Sequence, residues 1–369
     1  MSKIKYLYID DENDTSIESL INGFNDCNQI LVERLAIERG LSFSTLKNDI
    51  IEKIQSREYQ GVLIDLRLDG NGPDQLEYSA ISISSELRLI AGRKEMLSVP
   101  IVLCSTIDNI SATYTADKNS QDIFDYTFRK SGSPEYEKFS KKLNSLALGY
   151  QFLNSEEKQL NIVFGRTDLN KLDSRIFEKF MNQATVPYDF SNFTIKTLFH
   201  STNPLIKESI LAARLGVDID KSGESWNELK NGIFNNAKYN GLFFDGWDRW
   251  WADLVLSKFN EISGKKLSFI NAEERVEILN TLTTQKDLVA AKPLKYNVSN
   301  EFWTICEGYK KPLDPMEGFR VQTTQELKPW QEPKYLSLDA IIEKIGVDKG
   351  LKYHYSEKDR IEELKKKFK

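Results

Sequence analysis

The stretch that decides the fold is an apolar run that stops on acids. Residues 4–12 read Ile-Lys-Tyr-Leu-Tyr-Ile-Asp-Asp-Glu. Such a run is typical of a short buried strand, and here its carboxyl end carries two adjacent carboxylates, Asp10 and Asp11. Two neighbouring acids cannot be buried without a counter-charge, so this strand end needs a cation.

Four later segments are also short apolar runs that predict strands. They lie at residues 29–36, 61–66, 100–105 and 125–130. The last three bring a polar residue to the strand end, namely Asp65, Ser105 and Lys130. A chain that repeats strands of this kind favours a parallel sheet.

Helix-like segments separate these strands. They lie at residues 14–23, 44–56, 75–91 and 134–151. In the second of them, one helical face carries Leu46, Ile50, Ile51 and Ile54, and Ser44 or Thr45 can cap the helix. The alternation predicts an α/β fold with a doubly wound, five-stranded parallel sheet.

Ligand sites of such sheets lie beyond the carboxyl ends of the strands. The sequence therefore predicts one polar site there, made of Asp10, Asp11, Asp65, Ser105 and Lys130. Clustered carboxylates suit Mg²⁺. A carboxylate beside Mg²⁺ can attack phosphorus, with a hydroxyl and an ammonium group to meet the growing charge. Singly, each residue also has a structural explanation, as a helix cap, a turn residue or a surface charge.

Residues 1 to about 150 resemble the receiver domains of two-component response regulators. Four motifs carry the resemblance. They are Tyr8-Ile9-Asp10-Asp11-Glu12, Leu63-Ile64-Asp65-Leu66-Arg67-Leu68, Pro100-Ile101-Val102-Leu103-Cys104-Ser105 and Phe128-Arg129-Lys130. The resemblance implies a flavodoxin-like receiver fold.

The resemblance also implies roles for single residues. Asp65 would accept a phosphoryl group from a histidine kinase or phosphotransfer protein, and Mg²⁺ would be the cofactor. The metal ligands would be Asp10, Asp11, Asp65 and the backbone carbonyl of Arg67. Ser105 would hydrogen-bond to the phosphoryl group, and Lys130 would pair with it.

The chain departs from the family in several places. Asp11 and Asp65 are 54 residues apart and Asp65 and Ser105 are 40 apart, which is longer than is usual in the family. Asp69 and Ser131 stand where the family often has proline. Thr127 stands where the family has its switch aromatic. The resemblance thus supports phosphate capture more firmly than its relay to an output.

Composition narrows the classes of protein. Residues 1–150 carry 17 basic against 23 acidic residues, and the whole chain has a net charge of −5. No nucleic-acid partner is expected, because neither half has the large basic excess that is typical of nucleic-acid-binding domains. Two histidines, three widely spaced cysteines and the lack of a long apolar run indicate a cytoplasmic protein with no membrane span and no histidine-rich metal site.

Residues 151–369 predict a second, mainly α-helical domain. A helix is expected over 204–215, a proline-rich arm over 312–334 and a basic helix at the C-terminus. Residues 208–217 superficially resemble the start of a helix-turn-helix, but the acidic stretch that follows favours an amphipathic helix ending at Gly216.

Two further features of this region, a group of tryptophans and His200, are considered as possible functional residues. The segment 243–251 contains three tryptophans, which favour a domain core or, alternatively, a partner-binding surface in which Arg249 stacks on a tryptophan. His200 has no recognisable catalytic partner and is expected to be structural.

The leading hypothesis is a response-regulator-like signalling protein that is not an enzyme beyond its own phosphorylation and dephosphorylation. Its output would be protein interaction, with another response regulator or a second copy, or a phosphate sink. It also resembles effector-less receiver proteins of bacterial phage-defence systems, which would imply antiviral defence. The alternatives are a metal-dependent phosphatase of haloacid-dehalogenase type and a pseudo-receiver that acts as a scaffold.

Overall fold

The structure is a computed structural model that describes most of the chain. The described residues are 3–10, 15–35, 37, 41–66, 68, 79–105, 123–130, 135–155, 158–182, 186–323 and 326–368.

A five-stranded parallel sheet organises the first part of the chain. Its strands are β1 (Ile4–Ile9), β2 (Ile30–Leu35), β3 (Gly61–Asp65), β4 (Ile101–Ser105) and β5 (Tyr126–Arg129). They lie in the order β2-β1-β3-β4-β5, and every pairing is parallel. The predicted α/β class and five-stranded parallel sheet are confirmed, and the strand order is that of flavodoxin-like sheets.

Helices pack on both faces of this sheet. They are α1 (Thr15–Asp26), α2 (Phe43–Gln55), α3 (Ala80–Gly92) and α4 (Tyr136–Leu153). Leu7 and Ile9 of β1 point to one face and share a buried cluster with residues of α2 and α3. On the other face, Phe24 of α1 lies 5.1 Å from Phe128 of β5 between ring centroids. The apolar strands are therefore covered on each side, as a parallel sheet requires.

The start of α2 differs from the prediction. The helix begins earlier than expected and is capped by Ser42, whose hydroxyl accepts a hydrogen bond from the Thr45 amide at 3.1 Å. The expected caps, Ser44 and Thr45, lie inside the first turn. Ser42 takes the role because its extended backbone leaves its oxygen facing the free amides of that turn.

The chain forms two compact units that are not continuous in sequence. The first comprises Met1–Leu169, Phe177–Thr197 and Asn240–Trp247. The second comprises Asn170–Ile176, Leu198–Tyr239 and Asp248–Lys369. The chain thus returns to the first unit twice, once for residues 177–197 and once for the short segment 240–247.

The returning segment 240–247 packs closely on α4 within the first unit. A side chain at Gly149 would meet the ring of Phe243 at 2.2 Å, so only glycine leaves room for that ring. The Gly246 amide donates to Ser145 Oγ at 3.1 Å. The first unit also contains α5 (Leu160–Val163), α6 (Glu178–Asn182) and α7 (Pro187–Asn192). A seven-residue π-helix, Phe193–Phe199, follows α7.

The second unit mixes helices with short antiparallel strands. Its α-helices are α8 (Glu208–Leu215), α9 (Ile219–Glu228), α10 (Ala252–Ser263), α11 (Ala272–Asn280), α12 (Leu338–Ile342) and α13 (Lys358–Lys367). A π-helix spans Leu229–Ile233. The strands are β6 (Leu205–Lys207), β7 (Arg249–Trp251), β8 (Thr304–Ile305), β9 (Pro312–Leu313), β10 (Phe319–Arg320) and β11 (Tyr335–Leu336). They pair as β6–β7, β8–β9 and β10–β11.

One helix of the second unit is shorter than predicted. A helix was expected over 204–215, yet residues 205–207 form strand β6, which pairs with β7 so that Leu205 lies opposite Trp251. Pairing with a distant strand outweighs the local helical pattern. The remainder, α8, ends at Gly216 with a left-handed φ of 75°, as the sequence predicts.

In the part of the chain that the structure describes, no helix combines the length and apolar character needed to cross a membrane.

Candidate functional site at the carboxyl edge of the sheet

Four of the predicted site residues lie at one edge of the sheet. Asp10 directly follows β1, Asp65 ends β3, Ser105 ends β4 and Lys130 directly follows β5. Because these strands are parallel, their carboxyl ends meet at the same edge. We call these four residues the carboxyl-edge site.

Lys130 joins the two acids of the site. Its Nζ atom lies 3.0 Å from Asp10 Oδ2 and 2.5 Å from Asp65 Oδ1. The side chain of Asp10 is fully buried, and that of Asp65 is 12% exposed. Residues separated by 120 and 65 positions in the sequence thus meet at one ammonium group, as the sequence predicts.

The acids keep the lysine charged. Burial acts against the ammonium form, but the charges of Asp65 and then Asp10 outweigh it and raise the pKa of Lys130 above its usual value. The site therefore holds a fixed positive charge beside Asp65, at the position where a bound anion needs it.

Asp10 has a second buried partner that the sequence analysis missed. The hydroxyl of Tyr8 donates a hydrogen bond to Asp10 Oδ2. Burial, then the nearby Cys104, Asp10 and Asp65, raise the pKa of Tyr8 well above its usual value, so the phenol stays a donor. Strand alternation was the signal that could have found it, because Tyr8 and Asp10 are two residues apart and share a face.

The hydroxyl of Ser105 is buried without a hydrogen-bond partner among the described residues. The side chain belongs to a residue only 1% exposed. Its backbone carbonyl, by contrast, accepts from the Lys130 amide at 2.9 Å. A buried hydroxyl without a partner is costly, so this donor is suited to a ligand that enters the site.

Other predicted members lie outside the described residues. These are Asp11 and the Arg67 carbonyl. Asp69 and Ser131, at which the chain departs from the family pattern, are also outside the described residues. Thr127 is described and lies within β5.

The described side chains of the site include the type of ligand that binds magnesium. Asp10 and Asp65 converge on one nitrogen, and carboxylate oxygens are the ligands Mg²⁺ prefers. No group of three or more metal-binding side chains occurs among the described residues, a set that excludes Asp11. The Ser105 hydroxyl, which has no partner in the described part of the chain, could donate to a further polar group at this edge.

The β5 strand continues from the site into an aromatic cluster of the first unit. Phe128 is buried and packs edge-on against Phe139 at 4.7 Å between centroids. Tyr126 meets Trp247 of the returning segment at 5.6 Å between centroids. Lys142 Nζ donates to the Tyr126 hydroxyl at 2.7 Å. Aromatic side chains thus flank Thr127 on both sides in sequence.

The three tryptophans of the segment 243–251 are buried, whereas Phe244 is exposed. Trp250 and Trp251 are each 1% exposed in the second unit, and Trp247 is 8% exposed in the first. This burial favours the core reading over a partner-binding surface. The guanidinium of Arg249 lies over the ring of Phe199 at 5.3 Å, and its Nη2 atom donates to the Phe199 carbonyl at 3.1 Å.

Two other sequence features are placed by the structure. Helix α8, the first helix of the suspected helix-turn-helix, is buried from Ile210 to Leu215, so its side chains form core contacts rather than a groove-binding surface. His200 is exposed.

The chain matches none of the models of known protein families. A search of curated proteins likewise finds no match.

Proposed function

We propose that this protein is a receiver-like phospho-acceptor in which Asp65 takes a phosphoryl group from a phosphohistidine. The observation that carries the proposal is the carboxyl-edge site itself. The carboxyl edge of a parallel sheet carries a nucleophilic carboxylate, a second acid, a charged lysine and a hydroxyl that has no partner among the described residues.

The chemistry follows from these positions. An oxygen of Asp65 attacks phosphorus, the phosphorus–nitrogen bond of the phosphohistidine breaks, and an acyl phosphate forms on Asp65. The released imidazole takes up a proton. Lys130 would pair with one phosphoryl oxygen, and the Ser105 hydroxyl would donate to another.

Magnesium fits this proposal as the cofactor. Asp10 and Asp65, with Asp11 and the Arg67 carbonyl by family resemblance, would hold it. When bound, Mg²⁺ would offset the negative charge that two carboxylates and a phosphoryl group bring together.

Phosphorylation would act through added charge at the carboxyl edge. We propose that the output is protein contact or competition for phosphate in a cytoplasmic two-component pathway. Its source of phosphate would be a histidine kinase or phosphotransfer protein. A role in antiviral defence belongs to the same proposal.

The test uses acetyl phosphate or beryllofluoride with Mg²⁺. We expect wild-type protein to gain one phosphoryl group, measured by intact mass, and to bind beryllofluoride, measured by fluorine NMR. Asp65→Asn should abolish both. Asp26→Asn makes the same chemical change at an exposed position at the end of α1 and should leave both unchanged.

Other outcomes would point elsewhere. Equal uptake by wild type and Asp65→Asn would refute Asp65 as the acceptor. No uptake by wild type would favour a pseudo-receiver scaffold. Steady turnover of phosphate esters would favour the phosphatase of haloacid-dehalogenase type.

A further inference from the structure

Tyr8 has an unusual position beneath the carboxyl-edge site. Its side chain is completely buried in β1, and its hydroxyl donates to Asp10 Oδ2. Because side chains alternate along a strand, Tyr8 and Asp10 lie on the same face, with the phenol directly behind the acid.

The same carboxylate oxygen is held twice. Asp10 Oδ2 accepts from Tyr8 and from Lys130 Nζ, the latter at 3.0 Å. Two donors on one oxygen fix the rotation of the carboxylate about its Cβ–Cγ bond, which in turn fixes the direction of the second oxygen. A carboxylate in a metal site needs such an orienting partner if it is to meet the ion at the right angle.

Tyr8 also touches the cation of the site. Lys130 Nζ lies 5.6 Å from the centre of the Tyr8 ring, within the range of a cation–π contact. One buried side chain therefore contacts both the second acid and the lysine, and the contacts are made by different parts of the phenol.

We infer that Tyr8 is a positioning residue of the carboxyl-edge site: its hydroxyl orients Asp10 for Mg²⁺, and its removal weakens metal binding. This inference rests on the proposed function, because it assigns a role at the same site. Partners of metal-ligating side chains typically contribute about 10- to 100-fold to metal affinity.

The same strand provides a matched control. Tyr6 is also completely buried, and its hydroxyl donates to the Leu143 carbonyl at 2.6 Å. Tyr6→Phe and Tyr8→Phe each remove one oxygen atom and one buried hydrogen bond from β1. Only Tyr8→Phe removes a contact to Asp10.

The experiment measures Mg²⁺ affinity by calorimetry and beryllofluoride affinity by fluorine NMR. We expect Tyr8→Phe to weaken Mg²⁺ binding about tenfold or more and to weaken beryllofluoride binding with it. Tyr6→Phe should lower the melting temperature to a similar degree yet leave both affinities near the wild-type values. Equal Mg²⁺ affinity in Tyr8→Phe and wild type would overturn the inference.

A second comparison tests the route of the effect. In an Asp10→Asn background, adding Tyr8→Phe should change metal affinity little, because the oriented carboxylate is already gone. An undiminished effect in that background would also overturn the inference. If wild type binds beryllofluoride on Asp65 but Tyr8→Phe is unaltered, the role of Tyr8 fails alone. If wild type binds neither Mg²⁺ nor beryllofluoride, the proposed function fails and takes this inference with it.

Discussion

The parallel sheet has a buried carboxylate cluster at each of its two edges, and the clusters differ in how their polar atoms are paired. At the amino edge, Asp125 precedes β5 and is 1% exposed. Its oxygens accept four hydrogen bonds. The donors are Arg88 Nη2 at 2.6 Å, Ser191 Oγ at 2.5 Å, Tyr150 Oη at 2.7 Å and the Ile101 amide at 2.8 Å. We call Asp125 and these donors the amino-edge cluster.

The carboxyl-edge site is buried to a similar degree but contains Ser105, whose hydroxyl has no partner among the described residues. In the amino-edge cluster, by contrast, the hydroxyl of Ser191 donates a hydrogen bond to Asp125. Burial of an acid therefore does not by itself mark a functional site. The engaged donors of the amino-edge cluster stabilise the fold, whereas the Ser105 hydroxyl can donate to a ligand at the carboxyl edge.

The largest loss of folding stability is expected from Arg88→Met. The change leaves Asp125 buried opposite an apolar side chain, and it also removes the stack of Arg88 on Tyr188 at 4.0 Å. Breaking a buried ion pair from one side costs about 3–5 kcal/mol. Denaturant unfolding should show a loss of that size, and added Mg²⁺ should not restore it.

A loss below about 1 kcal/mol would show that the amino-edge cluster is not a structural anchor. The exposed pair formed by Lys138 and Glu135 supplies the control, because Lys138→Met removes a similar charge and should cost little.

A smaller and reversible effect is expected from Lys130→Met. Without the ammonium group, Asp10 and Asp65 repel each other, and hydrogen bonds to charged groups contribute about 1.5–3 kcal/mol. In contrast to Arg88→Met, the lost stability should return when Mg²⁺ is added, because the ion would bind the folded carboxylates. Thermal unfolding with and without Mg²⁺ measures this. Absence of any Mg²⁺ effect on this variant would count against a metal site.

Two almost fully buried serines give the last pair of variants, of which Ser105→Ala is expected to change stability least. Ser191→Ala removes a hydrogen bond to the Asp125 carboxylate and should cost about 1.5–3 kcal/mol. Ser105→Ala removes a hydroxyl to which no described residue is hydrogen-bonded, so it should change stability by about 1 kcal/mol or less while it weakens beryllofluoride binding. Chemical unfolding of both variants tests the pair. Equal destabilisation would contradict the difference drawn between the two edges.

Much of the sheet could be predicted from sequence because its strands are short apolar runs that end on polar residues. That pattern placed Asp10, Asp65, Ser105 and Lys130 at one edge before any contact was known. The amino-edge cluster could not be predicted in this way. Asp125 and Arg88 are 37 residues apart and Ser191 is 66 residues beyond Asp125, and no local pattern links such partners.

In the second unit, still less of the structure could be predicted from local sequence patterns. Strands of two or three residues, such as Thr304–Ile305 and Leu205–Lys207, are too short to show a periodic pattern. They exist because a distant strand satisfies their backbone groups, as Leu205 does with Trp251. The helix Ala272–Asn280 differs in that its signals are local, because it has its own capping box.

The close packing of Phe243 against Gly149 has a consequence for how the protein is made. Phe243 is synthesised long after the sheet and α4 have left the ribosome, and the segment that carries it ends at Trp247. During translation the surface of α4 that Phe243 will cover therefore stays exposed until the intervening chain has been made. Such transiently exposed surface invites misassociation, so a nascent chain stopped before Phe243 would depend on chaperones more than the finished protein does.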